Sequence, residues 1–174
     1  MGTPDPAPRP PRLDEIDRRI LALLQDDARL SNAAVAREVG LTPPATMERT
    51  RRLEDAGLIR GYHADLDPEP LGHGMAVILL IRLDHHGRES VHAFRDAIAG
   101  VDQVAECHYL TGTADFLLKV RVADVNGYRR LLEEQISGLP GLAHVESAVV
   151  LETFKDDRRV PVGGDDRRST GDAG

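Results

Sequence analysis

The chain has 174 residues, 41% hydrophobic and 29% charged, with a formal net charge of −7, a soluble globular profile with room for one ordinary domain or two small ones. Tryptophan is absent and aromatics are 3%, so stacking on single-stranded bases is poorly provided for. With one cysteine, no apolar run of transmembrane length and a Pro-rich N-terminus lacking a signal-peptide core, an internal disulfide is impossible, and a cytoplasmic protein with no membrane partner is expected.

Residues 1–12 hold five prolines and read as a disordered tail. Asp14 then caps a helix whose Leu13, Ile16, Ile20, Leu23 and Leu24 form one apolar stripe. Ser31 or Asn32 starts a second helix, with Val35, Ala36 and Val39 on one side, and Gly40 stops it in the left-handed conformation that glycine adopts without steric cost. Leu41 plugs the corner. Thr42 is the N-cap of a third helix, with Pro43 and Pro44 in its first turn, where the missing N–H groups break no helix bond.

The 100° step along this third helix places Met47, Thr50, Leu53 and Glu54 on one side and Ala45, Glu48, Arg49 and Arg52 on the other. The second set is expected to face outward. Small Ala45 would let the helix start approach a duplex, and Arg49 and Arg52 could reach guanine edges or phosphates. This is the order of a helix-turn-helix, and the expected contacts to double-stranded DNA are Thr42, Pro44, Ala45, Thr46, Glu48, Arg49, Arg51, Arg52 and Arg60. Between Leu13 and Leu66 there are ten acids and eight bases, a net charge of −2, so a basic field must be local. Arg49, Arg51, Arg52 and Arg60 provide one, and modest, salt-sensitive affinity raised by oligomerisation is expected. Leu58–Leu66 reads as a short strand or wing, closing a domain of residues 13–66, and residues 67–73, opening Asp67-Pro-Glu-Pro, as a linker.

From residue 74 to 155 the pattern is strand, helix, strand, strand, helix, strand, the ferredoxin-like βαββαβ order of an α+β fold. The strands are expected at Met75–Leu83, Val104–Leu110, Phe116–Val122 and His144–Phe154. The helical stripes are Val91, Phe94 and Ile98, then Val125, Tyr128, Leu131, Leu132 and Ile136. Such a sheet carries both helices on one face. Its other face should alternate with polar residues, yet Met75–Leu83 and Ala148–Leu151 do not, and a second copy of the sheet is the simplest cover. A homodimer that assembles further is expected. Residues 156–174 read as a second disordered tail.

Several residue groups carry no site. Cys107 alternates away from Glu106 and His108, so the triplet holds no metal and the cysteine reads as a small buried hydrophobe. His85-His86 reads as a solvated turn. Thr111-Gly112-Thr113 lacks the Lys-Ser/Thr and the helix of a phosphate loop. No metal and no resident cofactor are expected. The Thr111–Asp115 loop offers hydroxyls, a glycine and a carboxylate that could hold both ends of a free amino acid, while on residue types alone a hairpin turn whose Asp bonds its own backbone stays the simpler reading.

Three stretches, Leu13-Asp-Glu-Ile-Asp-Arg-Arg-Ile-Leu21, Asp27-Ala-Arg-Leu-Ser31 and Leu53-Glu-Asp-Ala-Gly-Leu-Ile-Arg-Gly-Tyr62, together with Glu106-Cys-His-Tyr-Leu-Thr-Gly-Thr-Ala-Asp-Phe-Leu-Leu-Lys119, resemble the leucine-responsive/asparagine-regulator (Lrp/AsnC) family of transcription factors over about Leu13 to Lys155. The resemblance implies a winged helix-turn-helix domain joined to a ferredoxin-like effector and dimerisation domain. It also implies that Gly112–Phe116, the family's Gly-x-x-Asp-aromatic loop, borders an amino-acid pocket between subunits. Residues expected at that pocket are Tyr109, Thr111, Gly112, Thr113, Asp115, Val125, Ala148 and Val150. The positions facing the ligand's side chain are mostly apolar, which favours an aliphatic amino acid such as leucine. Thr50 departs from the aliphatic residue that would pack better at its expected inward position. The function implied is sequence-specific regulation of transcription modulated by an amino acid, not catalysis. Sirohaem decarboxylases resemble both domains, so an enzyme on this fold is one alternative, and an effector sensor without DNA binding is another.

Overall fold

A computed structural model describes residues 12–85 and 87–163; the expected N-terminal tail up to residue 11, His86 and residues 164–174 lie outside them. Two units form. One runs to Asp65 and takes in the segment from Asp157, and the other is Leu66–Asp156.

The first unit packs α1 (Glu15–Asp26), α2 (Asn32–Val39) and α3 (Pro43–Asp55) around Ile20, Leu21, Val35 and Leu53. Asp14 and Asp17 make a reciprocal capping box at the start of α1, two orphan donors satisfied by two short acids. Ser31 caps α2 by accepting the Ala34 N–H. Gly40 ends α2 at φ 70° and ψ 32°, the left-handed turn that frees the chain to reverse into α3. Thr42 sits at the N-cap of α3 but its side chain makes no capping bond. A cap oxygen bonds the N–H of the second or third residue, and the second, Pro44, has none.

Two expectations about this unit change. Leu58–Leu66 forms no strand, since a single extended segment has no neighbour here to take its backbone hydrogen bonds. Ile59 instead packs on the core, and the Tyr62 hydroxyl donates to Glu54 Oε1 at 2.8 Å. Residues 157–163, expected within a disordered tail, lie against α1. Gln25 Nε2 donates to the Val160 carbonyl and Gln25 Oε1 accepts the Val160 N–H, at 3.0 and 2.7 Å. Arg159 pairs with Asp26 at 3.0 Å, and Val162 packs on the core.

The second unit holds β1 (Met75–Leu83), α4 (Arg88–Ile98), β2 (Val104–Tyr109), β3 (Phe116–Val122), α5 (Val125–Leu131) running on as a π-helical turn (Leu132–Ile136), and β4 (Leu142–Val149). The sheet is antiparallel in the order β2-β3-β1-β4, which is the ferredoxin-like arrangement. Alternate residues of β1 and β3 (Val77, Leu79, Ile81, Leu83 and Phe116, Leu118, Val120, Val122) are buried with Phe94, Ile98, Leu131 and Ile136, so both helices cover one face. The Phe94 and Phe116 rings stack at 4.5 Å. The last strand ends at Val149, five residues before the expected Phe154, because only Val150 still bonds β1, through the Ala76 carbonyl. The expected linker turns back on itself, with His73 N–H bonded to the Pro68 carbonyl.

The open face is less uniformly apolar than the strand runs suggest. Ala76, Ile78, Leu80 and Leu117 occupy its middle and are buried or half-buried. Lys119 and Arg121 lie beside them, and Lys119 Nζ bonds Glu106 Oε1 at 3.1 Å. That bond, with help from His108, holds the Glu106 carboxyl below its usual range. Cys107 is exposed rather than buried, because it lies on the edge strand β2.

Candidate functional site

The exposed surface of α3 is rotated from the sequence expectation. Its fully buried side chains are Thr46 and Leu53, while Met47 is 55% exposed. Thr46, expected at the DNA, therefore lies inside the unit with its hydroxyl donated to the Thr42 carbonyl at 3.2 Å. A small residue whose hydroxyl bonds a carbonyl of its own helix can be buried without leaving a polar atom unsatisfied. Pro44, Ala45, Met47, Glu48, Arg51 and Arg52 are exposed along the helix, Thr42 is exposed at its start, and Arg60 is exposed beyond its end.

Arg49 and Arg52, expected to project freely outward, are both held by α1. Arg49 Nη1 lies 2.7 Å from Asp14 Oδ2 and 2.8 Å from Asp17 Oδ1. Arg52 Nη2 lies 2.8 and 2.7 Å from the two oxygens of Asp17. Asp17 is 1% exposed, and a carboxylate so buried requires close pairing with good geometry. The Asp14 carboxyl is held below its ordinary range, first by the Asp17 N–H and then by Arg49, and Arg49 is in turn held more firmly protonated by Asp14 and Asp17. In the sequence Asp14 reads as a helix cap and Asp17 only as an acid that weakens a basic field. The signal for their role was present: Asp14 and Asp17 have the same i, i+3 spacing as Arg49 and Arg52.

The Thr111–Asp115 loop is closed by the Leu110 N–H on the Asp115 carbonyl and anchored by the Asp115 N–H on the Ile81 carbonyl, both at 2.8 Å. Asp115 Oδ2 accepts the Leu83 N–H at 2.8 Å, a bond from the carboxylate to the backbone of β1. Thr111, Gly112 and Thr113 are exposed, and Gly112 has φ 126°, where a side chain would be strained. Tyr109, 62% exposed, stands 5.1 Å from the Phe116 ring.

The remaining residues expected around the loop are not beside it in one chain. Phe116 pairs with Ile81, whereas Ala148 pairs with Ile78 and Val150 bonds Ala76. At ~3.3 Å per residue and ~4.8 Å per strand, Ala148 is about 10 Å away both along and across the strands. Val125 begins α5, on the helix-bearing side of the sheet. Among the described residues no group of histidine, cysteine and acidic side chains could hold a metal ion, and no helix is long and apolar enough to cross a membrane.

The chain matches two family models in sequence order: winged helix-turn-helix DNA-binding over residues 13–60 and Lrp/AsnC ligand binding domain over residues 76–160. It is 40% identical over 150 residues to the leucine-responsive regulatory proteins of Klebsiella pneumoniae and Escherichia coli K12, covering 86% of this chain and 92% of each relative. A transcriptional regulator of Neisseria meningitidis, solved in complex with L-methionine, superposes with a TM-score of 0.81 at 28% identity, covering 87% of this chain and 97% of that one. An AsnC family regulator from Agrobacterium tumefaciens gives a TM-score of 0.81 at 31% identity, with 86% and 97% covered. A helix-turn-helix with an exposed α3, followed by a ferredoxin-like ligand-binding unit, thus stands in the order shared by regulators of transcription rather than enzymes, and the chain belongs to the Lrp/AsnC family.

Proposed function

We propose that the exposed strip of α3 reads the major groove through Pro44, Ala45, Glu48 and Arg51, with Thr42 and Arg60 on the flanking phosphates, and that an amino acid bound by the second unit alters that binding. The observation carrying this reading is the surface of α3 itself. A small residue near the helix start is followed one turn later by a carboxylate suited to cytosine N4 and then by an arginine suited to guanine. Met47, exposed beside them, adds an apolar contact suited to a thymine methyl.

The reading includes a cytoplasmic homodimer, assembling further, joined through the open face of the sheet. Leu151 and Phe154, 96% and 90% exposed, follow β4 and would be covered by a second copy. Two paired units would then address two half-sites related by the same two-fold axis. The effector site would lie between copies, with Tyr109, Thr111, Gly112, Thr113 and Asp115 from one chain and Ala148 and Val150 from another. Apolar side chains there favour an aliphatic amino acid such as leucine, and methionine is the ligand named for the Neisseria relative.

Gel shift of the full chain on DNA upstream of its own gene, with and without each of the twenty amino acids, tests the function. Retarded, sequence-dependent complexes whose affinity changes with an aliphatic amino acid are expected. Binding indifferent to sequence would refute the reading. Light scattering at micromolar concentration should give at least twice 19.0 kDa, and a stable monomer would refute the interface.

A further inference from the structure

We infer that Asp17 is a positioning residue for DNA reading: from inside the three-helix unit its carboxylate holds Arg49 and Arg52 and so fixes the rotation of α3 about its own axis. The inference rests on the reading that the exposed strip of α3 meets the bases.

Apolar packing alone leaves that rotation weakly determined. The fully buried side chains of α3 are Thr46 and Leu53, two turns apart on a single line along the helix. A helix held along one line can roll about it. Arg52 lies one residue step, 100°, to the side of Leu53, so the pair of hydrogen bonds that its Nη2 donates to the two oxygens of Asp17 resists roll. Arg49 lies between Thr46 and Leu53, and its Nη1 bridges Asp14 and Asp17. The Asp14 N–H also donates to Asp17 Oδ2, at 3.3 Å. The two aspartates that close the capping box of α1 are therefore the two that hold α3. A roll by one residue step would take both guanidinium groups off a buried carboxylate at once, leaving that charge unpaired.

The same geometry separates positioning from direct binding. Two aspartates and two arginines make a cluster with no net charge, so Arg49 and Arg52 add little to the field met by DNA. Deleting a side chain that binds a phosphate should make the dependence of log K on log salt shallower by about one. Removing Asp17 deletes no phosphate ligand and exposes two arginines, so its signature is weaker discrimination without a shallower slope.

The experiment uses the full chain and two fluorescent duplexes, one selected from a random pool by the wild-type protein and one of scrambled sequence, each titrated over a range of salt. In Asp17→Asn the affinity ratio of selected to scrambled duplex should fall about five- to 150-fold, the discrimination that one bidentate base pairing supplies. Binding to the scrambled duplex should be retained or tightened, with no shallower slope. Arg52→Gln, at a half-exposed position where Arg49 still pairs Asp17, carries the same test with a smaller fall should Asp17→Asn not fold. An unchanged ratio in a folded variant overturns the inference. Equal weakening on both duplexes also overturns it, because that is loss of folded protein, as does a slope about one shallower in Arg52→Gln, which would place Arg52 on a phosphate. A wild type that cannot tell the two duplexes apart overturns the reading of α3 itself, before any variant is made.

Discussion

Asp115→Asn separates the bond that the loop carboxylate makes to β1 from the role proposed for it at an amino acid's ammonium group. Asp115 Oδ2 accepts the Leu83 N–H at 2.8 Å, and its backbone closes the loop through Leu110 and Ile81. Asparagine keeps an oxygen for Leu83 and removes the charge, so the bond to Leu83 itself should change by no more than about 1 kcal/mol, one ordinary hydrogen bond. The ammonium group of an amino acid would lose a charge-assisted partner worth about 1.5–3 kcal/mol, so binding should weaken about 10- to 150-fold. Asp115→Ala should add a stability loss of about 1–3 kcal/mol by leaving the Leu83 N–H unsatisfied. Calorimetric titration of leucine and methionine into each protein, beside urea unfolding, measures both effects. Repeating it with operator present tests reciprocity, because an amino acid that changes DNA affinity must bind differently when DNA is bound. Wild-type ligand affinity in Asp115→Asn would place the ammonium group elsewhere. Equal losses of binding and stability in both variants would reduce Asp115 to a scaffold residue.

Leu53→Ala, which empties the apolar anchor of α3, should cost about 2–5 kcal/mol, measured by urea unfolding. Burial, and then Glu54, push the Tyr62 phenol up to about 12. A raised folded value stabilises fully below the ordinary 10 and is lost as pH rises through about 12, so the late phenol that ultraviolet titration should show for Tyr62 will be missing in Tyr62→Phe. Asp14 has the opposite sign. Its carboxyl is depressed by the Asp17 N–H and Arg49, so its stabilisation is present at neutral pH and lost as pH falls below 3.8 through the folded value. Asp14→Asn should flatten that part of the stability–pH curve.

Local chemistry made most of the fold legible. Asp14, Ser31 and Gly40 each state a helix boundary through a bond or a backbone angle that few other residues supply. In β3, Phe116, Leu118, Val120 and Val122 alternate cleanly because a strand has only two faces. The rotation of α3 was not legible in the same way. Its apolar residues are few, and assigning Met47 inward followed hydrophobicity, whereas Thr46 is the buried residue, its hydroxyl satisfied by the Thr42 carbonyl. Charge misled similarly at Arg49, which a buried Asp17 draws inward, while Arg52 pairs with the same carboxylate and still stays half-exposed. The docking of residues 157–163 depends on one glutamine amide reading backbone and one valine reaching a core far away in sequence, and composition has no signal for either. The expected effector residues fall apart within one chain, and strand or helix periodicity, which reports only the faces of single elements, carries no signal for which of them meet.

Whether the exposed strip of α3 reads bases is tested most directly by selecting DNA from a random pool with the wild-type chain, with Glu48→Ala and with Arg51→Ala. Direct readout predicts that each variant loses preference at a defined base position, by about 1–3 kcal/mol, and at the symmetric position of the other half-site, while the remaining consensus persists. An identical consensus from all three proteins would contradict the account.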